Sequence, residues 1–358
     1  MSVVTLPASD PFVMKGRLIT LLLVAVALVA GSGCAVEDDQ TVIKLGHGMD
    51  ISHPVHRAMV FMAERVAEKS DGQMRVDIYP SEQLGTERQC LELLQIGSLD
   101  LTKVSSSVME SFSPLYKVFG LPYVFENDAH RFAVLEGEIG RRILRSSEPA
   151  WLRGITYYDA GSRSFYTADQ PIRTPEDLQG LKIRTQESPV AIAMVNQLGG
   201  AATPISFGEL YTALQQGVVD GAENNPPSFH TTRHYELCDY YSLDRHTSPP
   251  DVLLGSTHLW ERLTEQEREW LQEAADESAQ YQKKLWAEAT EEAMKTVKEA
   301  GVEIIEPDID AFVEAVQPLY EQYRREQPEV YDVFQEIRNM DRYAKAASDT
   351  TEASSDAN

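Results

Sequence analysis

Apolar and polar positions change their period several times along this chain, and each change marks an element. Thr41–Leu45 alternates as a strand and ends at Gly46-His47-Gly48. From His56 to Lys69 apolar residues recur at helical spacing, and Met74–Tyr79 alternates again before Pro80. Thr86 and Gln89 form a capping-box pair that opens a helix running to Leu94. The richest stretch is Leu181–Asn225. It predicts strand, helix, strand, helix, strand: Leu181–Thr185, a helix capped by Ser188 and Pro189 and closed by Gly199-Gly200, then a second helix from a Ser206/Glu209 capping box to Gly217. Val218-Val219 leads on through Asp220-Gly221 to the polar run Glu223-Asn224-Asn225. Thr264 to about Ala300 is one long polar helical pattern with apolar residues at Trp270, Leu271, Ala274, Ala275 and Tyr281. Val302–Ile305 returns to strand. Asp310–Tyr323 and Tyr331–Tyr343 read as terminal helices, and Ala344–Asn358 has a disordered composition.

Two of these units resemble each other. Leu94-Gln95-Ile96-Gly97-Ser98-Leu99-Asp100 and Leu214-Gln215-Gln216-Gly217-Val218-Val219-Asp220 share the pattern L-Q-x-G-x-x-D. Each ends a helix, and each runs on into polar residues, Ser105-Ser106-Ser107 in one and Asn224-Asn225 in the other. The repetition predicts an α/β chain of two pseudo-equivalent lobes facing one cleft. Ligands of open α/β sheets sit beyond the carboxyl ends of the strands, where Arg184 and Asn224 fall. A guanidinium presents paired donors in one plane and grips a carboxylate, although an arginine ending a strand also serves as an ordinary surface ion pair.

The charge balance narrows the partners. With 32 basic against 56 acidic residues the formal net charge is −24. That excludes a nucleic-acid binder, which needs clustered cations. It also repels small anions at long range, so a cleft that takes one has to be locally positive. Lys15 and Arg17 precede an apolar run from Leu18 to Ala30, a secretory signal over residues 1–33 that is too short to span a bilayer, with Met14 as a natural start. The run ends Gly31-Ser32-Gly33-Cys34, similar to a lipoprotein processing site except that Gly31 stands where such sites favour Leu. Lipidation of Cys34 and ordinary cleavage nearby both remain open. Cys90 and Cys238 show no C-x-x-C spacing and read as buried free thiols. His230 and His234 lack a third ligand, so neither a metal nor a cofactor is expected.

The blocks Lys182-Ile183-Arg184, Ser188-Pro189-Val190 and Leu198-Gly199-Gly200, with Thr203 through Asn225 and the earlier Tyr79–Gln89 run, carry a resemblance that extends from about Val42 to about Tyr323. They resemble the solute-binding proteins of tripartite ATP-independent periplasmic (TRAP) transporters. The resemblance implies a two-lobed periplasmic binding protein fold with a hinge and a long bracing helix. Such a protein closes over an organic acid and hands it to membrane permease subunits. It implies passage between lobes near Ile155–Ala160 and Pro250–Ser256, giving lobe I as 41–160 with 250–289 and lobe II as 161–249 with 290–343. Arg184 matches the family's carboxylate-binding arginine, Arg163 its second arginine and Asn224 its third contact. Glu87, Ser105, Phe207, Glu187, Asn225, His47 and Asp50 complete the candidate set. Ordinary structural roles compete with these: a first-turn acid at a helix dipole for Glu87, and for Asn224 a turn residue after Asp220-Gly221, with Asn225 competing for its role. The Asp220–Phe229 block is similar to binders of sugar acids, so a hexuronate is expected ahead of a four-carbon dicarboxylate. No G-x-S-x-G, phosphate-cradling glycine loop or Cys-His pair supports a sugar-acid enzyme, and a periplasmic sensor module would share the same fold and site.

Overall fold

The computed structural model describes residues 40–340, together with Ser2. The signal, Cys34 and tail expectations lie outside the described residues, as do positions 341–343 of the last expected helix. Eleven strands among the described residues form two sheets. In the first, β1 (Thr41–His47), β2 (Met74–Tyr79), β3 (Leu101–Ser105), β4 (Leu152–Tyr158) and β10 (Asp251–Ser256) lie in the order β2-β1-β3-β10-β4. The second holds β5 (Arg163–Thr167), β6 (Lys182–Thr185), β7 (Ala201–Pro204), β8 (Gly221–Asn224), β9 (Tyr240–Thr247) and β11 (Glu303–Ile305), in the order β11-β9-β5-β8-β6-β7. The segments expected to cross between lobes are themselves strands of the first sheet. The chain passes to the second sheet just after β4, through residues 159–162, and returns just before β10, through 248–250.

The repeated heptapeptide has a structural basis. Helix α1 (Pro54–Lys69) and helix α2 (Glu87–Gln95) cover the first sheet, and α2 starts with the full Thr86/Gln89 capping box. Gly97 and Gly217 both turn the chain with positive φ, 70° and 65°. Asp100 then accepts from the Lys44 amide at 2.8 Å, and Asp220 accepts from the Lys182 amide at 2.7 Å. In each half the aspartate thus ties the turn to the neighbouring parallel strand, β1 in one and β6 in the other. Leu94 and Leu214 are buried in both copies.

Helix α3 (Pro189–Gln197) forms as expected, with the Ser188 hydroxyl accepting from the Ala191 amide. The next helix departs from expectation. Helix α4 spans only Leu210–Gln215, and Ser206 makes no backbone cap; its hydroxyl donates to the Glu209 carboxylate at 2.7 Å. A competing acceptor stands nearby: the Gly208 amide donates to Glu82, from the first half of the chain, at 3.2 Å, and residues 207–209 form a turn that leads into the helix at Glu209. Helix α5 (Pro226–Thr231) follows β8 directly.

One helix binds the halves together. Helix α6 (Glu265–Glu299) is 35 residues long, about 52 Å at 1.5 Å per residue, and Thr264 with Glu267 caps it as a box. Leu271, Ala274, Ala275 and Trp286 pack into the core of the first sheet, while Val297 joins Phe229 and Tyr241 in a core of the second. The expected Asp310–Tyr323 helix is two helices, Ile309–Ala315 and Gln317–Glu326, broken at Val316, two residues before Pro318. Residues 328–340 form the last described helix.

Candidate functional site

Ser105 ends β3, Asn224 ends β8 and Arg184 stands one residue before the end of β6, and all three line the gap between the sheets. Two small cavities lie there, about 30 and 20 Å³. Glu87, Gln186 and Phe207 wall both. The larger is lined also by Met49, His53, Lys103, Ser105, Arg163, Asn224, Asn225, Asp251 and Trp286; the smaller by Glu82, Arg184, Glu187 and Ser206, among others. A groove of about 520 Å³ lies elsewhere, behind β4, but none of Ser105, Arg184 or Asn224 lines it.

Arg184 is only 2 % exposed, and its Nε donates to the Ile205 carbonyl at 2.9 Å. Its Nη1 has no partner at all. Burial pushes the guanidinium below its ordinary pKa, with Arg163 adding to the effect. A buried cation with an unpartnered donor is costly, even with Glu223 and Glu87 acting on its charge from a distance, and an anion at Nη1 would relieve that cost. Arg163 is engaged quite differently. Its Nε donates to Glu223 Oε2, Nη2 donates to Glu223 Oε1 (2.8 Å) and to the Glu223 carbonyl (2.7 Å), and Nη1 donates to Asn224 Oδ1 at 2.9 Å. Four of its five N–H hydrogens are therefore taken. Burial alone would raise the Glu223 carboxyl, but Arg163 and then His246 outweigh it and hold it at about 2. His246 sits behind, 2.7 Å from Asp244 and 3.5 Å from Glu223; burial alone would lower its pKa, yet these carboxylates raise it to about 9.

The wall built on the first sheet carries its own charge cluster. Lys103 is 1 % exposed, and its Nζ lies 3.0 Å from Asp251 Oδ2 and 3.4 Å from Glu87 Oε1. Glu87 Oε1 also accepts from the Ser105 amide at 3.1 Å. Burial would lower the Lys103 pKa, but Asp251 and Glu87 raise it instead. Burial lifts Asp251 to about 6 against the pull of Lys103. Ser105 Oγ reaches Gln186 Oε1 at 3.4 Å, one of several bonds across the gap.

Of the sequence candidates, Arg163, Asn224, Asn225, Glu87, Ser105 and Phe207 meet around the larger cavity, and Arg184 and Glu187 around the smaller, Glu187 at an exposed rim. Asn225 also caps α5, accepting from the Ser228 amide at 2.8 Å. His47 and Asp50 line neither cavity. His47 is buried against His56, with its Nδ1 accepting from the Met49 amide, and burial together with Lys103 lowers it to about 2. Asp50 closes an exposed turn on Ser52 and lines an outer groove instead. Sequence reasoning missed Lys103, Asp251, Gln186, His53, Glu223 and Trp286. Lys103 did leave a signal, as a charged residue inside the otherwise uncharged strand Leu101–Ser105. Cys90 and Cys238 are both free and buried, and burial pushes their thiols up to about 11 and about 12. No group of three or more His, Cys, Asp or Glu among the described residues is arranged for a metal.

The bacterial extracellular solute-binding proteins, family 7, match residues 45–327 of this sequence. The chain belongs to that family. Family 7 comprises solute-binding proteins, and the two-lobed α/β fold here matches that of solved TRAP periplasmic solute-binding proteins. One from Xanthobacter autotrophicus, with bound β-D-galacturonate, is 36 % identical at a TM-score of 0.80, covering 82 % of this chain and 98 % of that one. One from Anaerococcus prevotii, with bound D-glucuronate, is 38 % identical at a TM-score of 0.81, covering 84 % and 99 %. An uncharacterized protein from Salmonella typhimurium, YiiZ, is 39 % identical over 84 % of this chain and 91 % of its own length. The TRAP solute-binding fold therefore accounts for the two lobes on either side of the cleft.

Proposed function

We propose that this TRAP solute-binding protein captures a hexuronate such as D-glucuronate or D-galacturonate outside the cytoplasm and delivers it to membrane permease subunits. The observation that carries the reading is Arg184, a buried guanidinium with an unpartnered Nη1 at the mouth of a gap between two sheets. One carboxylate satisfies it. The remaining wall, Glu87, Ser105, Asn224 and Gln186 with the ring of Phe207, supplies mixed donors and acceptors that suit several hydroxyls and the apolar face of a sugar. The uronates in two related proteins favour the same ligand class. We take lobe I as 41–160 with 250–289 and lobe II as 161–249 with 290–343. A cleft of 30 and 20 Å³ is far below the roughly 300 Å³ of ordinary ligand pockets, so the lobes part to admit a sugar. A lipid on Cys34 would tether the protein to the membrane that holds the permease.

The test pairs ligand with variant. At equal concentration, glucuronate or galacturonate raises the melting temperature of the wild type by several degrees, and succinate or malate by far less. Arg184→Met removes the charge and keeps most of the volume. The variant melts at or above the unliganded wild type, because an unpaired buried cation is gone, and it binds uronate at least a hundredfold more weakly, about 3 kcal/mol. The reverse ligand ranking, or near wild-type affinity in Arg184→Met, defeats the reading.

A further inference from the structure

The hexuronate reading leaves open how the cleft treats a second carboxylate at the far end of the same six-carbon chain. We propose that Lys103, held between Glu87 and Asp251, makes the lobe I end of this cleft a hydroxyl-reading wall that rejects a second carboxylate, so that the protein selects sugar acids with one carboxyl group over the corresponding diacids. The inference rests on the hexuronate reading and concerns its selectivity.

The argument is one of charge and of free donors. Around the larger cavity stand two cations, Lys103 and Arg163. Neither is available as a charge. Arg163 is matched by Glu223, and a single N–H remains to it. Lys103 faces two carboxylates, Asp251 at 3.0 Å and Glu87 at 3.4 Å, so two of its three hydrogens have acceptors and one is left for the cavity. Two carboxylates thus stand against the one ammonium of Lys103, while the charge of Arg163 is taken up by Glu223, with His246 and Asp244 paired behind it. Burial lifts Asp251 to about 6 while Lys103 pulls it down, and its Oδ2 stays 3.0 Å from that ammonium. His53, on the same wall, is held neutral, its pKa lowered to about 3 by burial and then by Lys103. A hydroxyl fits this wall well, accepting from the free Lys103 or Arg163 hydrogen and donating to Glu87 or Asp251. A carboxylate has no proton to donate and meets like charge on both sides. Arg184, with Nη1 unpartnered, lies at the other cavity, beyond Glu87 and Gln186, and takes the first carboxylate.

Glucarate differs from glucuronate in shape as well as in charge, because it is an open chain. D-gluconate separates the two effects, being an open chain with a single carboxylate. Calorimetric titration of the full mature protein with D-glucuronate, D-gluconate and D-glucarate is therefore the experiment, repeated on Asp251→Asn and Glu87→Gln. In the wild type, gluconate binds at least tenfold more tightly than glucarate. In Asp251→Asn the gap narrows by tenfold or more, because one anion is removed while the Lys103 charge stays. Glu87→Gln narrows it in the same direction and guards against a fault peculiar to one variant; unliganded melting curves confirm that both are folded. Glucarate binding as tightly as gluconate in the wild type overturns the proposal, as does an unchanged ratio in both folded variants. Failure of all three sugar acids to bind overturns the hexuronate reading, and this inference falls with it.

Discussion

Arg163 and Arg184 share a residue type and a cleft, yet their neighbours give them different work. Glu223 takes up the Arg163 charge, and behind it His246 and Asp244 extend the network, all of it buried. The network sets a pH dependence whose sign follows from the shifts. His246 has its folded pKa raised from 6.5 to about 9, so its contribution is fully present below about 6.5 and is lost as pH rises through 9. Glu223 is depressed from 4.5 to about 2, so its contribution holds above about 4.5 and disappears as pH falls toward 2. The wild type should therefore lose melting temperature between pH 6.5 and 9.5. His246→Asn should start several degrees lower at pH 6 and stay flat across that range. Parallel slopes for the two proteins would show that the imidazole is not charged in the fold. Little of this was legible beforehand. Arg184 and Asn224 could be found because strand ends follow from local pattern. The pairing of Arg163 with Glu223 depends on the antiparallel register of β5 on β8, which no local pattern reveals. Lys103 and Asp251 meet in the same way, through the pairing of β10 with β3.

At the scale of elements, local signals succeeded where nothing from the other half of the chain competed for the backbone. The Thr86/Gln89 and Thr264/Glu267 boxes form, whereas the Ser206/Glu209 box gives way to a bond between the Gly208 amide and Glu82. The repeated L-Q-x-G-x-x-D unit was visible as a spacing, but the reason for its aspartate was not. Asp100 and Asp220 each accept a backbone amide from the adjacent strand, and removing either carboxylate leaves that amide without its partner. Asp220→Ala should cost about 1–2 kcal/mol of stability, toward the low side for a bond to a charged group because this one is exposed. Asp100→Ala should cost more, because Asp100 also pairs with Arg262 at 2.7 Å. Chemical denaturation of both variants measures this. Equal, negligible losses would mean that the two turns hold without their aspartates and that the repeat reflects something other than strand attachment.

For the molecule as a whole, the cleft and the surface pull in opposite directions on an anionic ligand. The lobes meet through α6 and through bonds that cross the gap, Glu82 to the Gly208 amide and Ser105 to Gln186 among them. Gly161, in the passage from β4 to β5, has φ +59°, and a Cβ there would come within 2.9 Å of Trp286 Nε1 on α6, so the passage is packed tightly against the bracing helix. An anion that reaches this cleft does so in a chain of net charge −24. A monoanion approaching from solvent feels repulsion over roughly 30 Å at 0.01 M salt but only about 8 Å at 0.15 M, while the buried Arg184 attracts it only at short range and little affected by salt. Most ion-steered associations slow as salt rises. Here the association rate constant for glucuronate, followed by stopped-flow tryptophan fluorescence with Trp286 in the cleft wall, should rise several-fold from 0.01 to 0.15 M salt, and the dissociation rate should change little. A rate that falls with salt instead would mean that the field at the cleft mouth is already positive, and that the acidic surface lies too far from the approach path to matter.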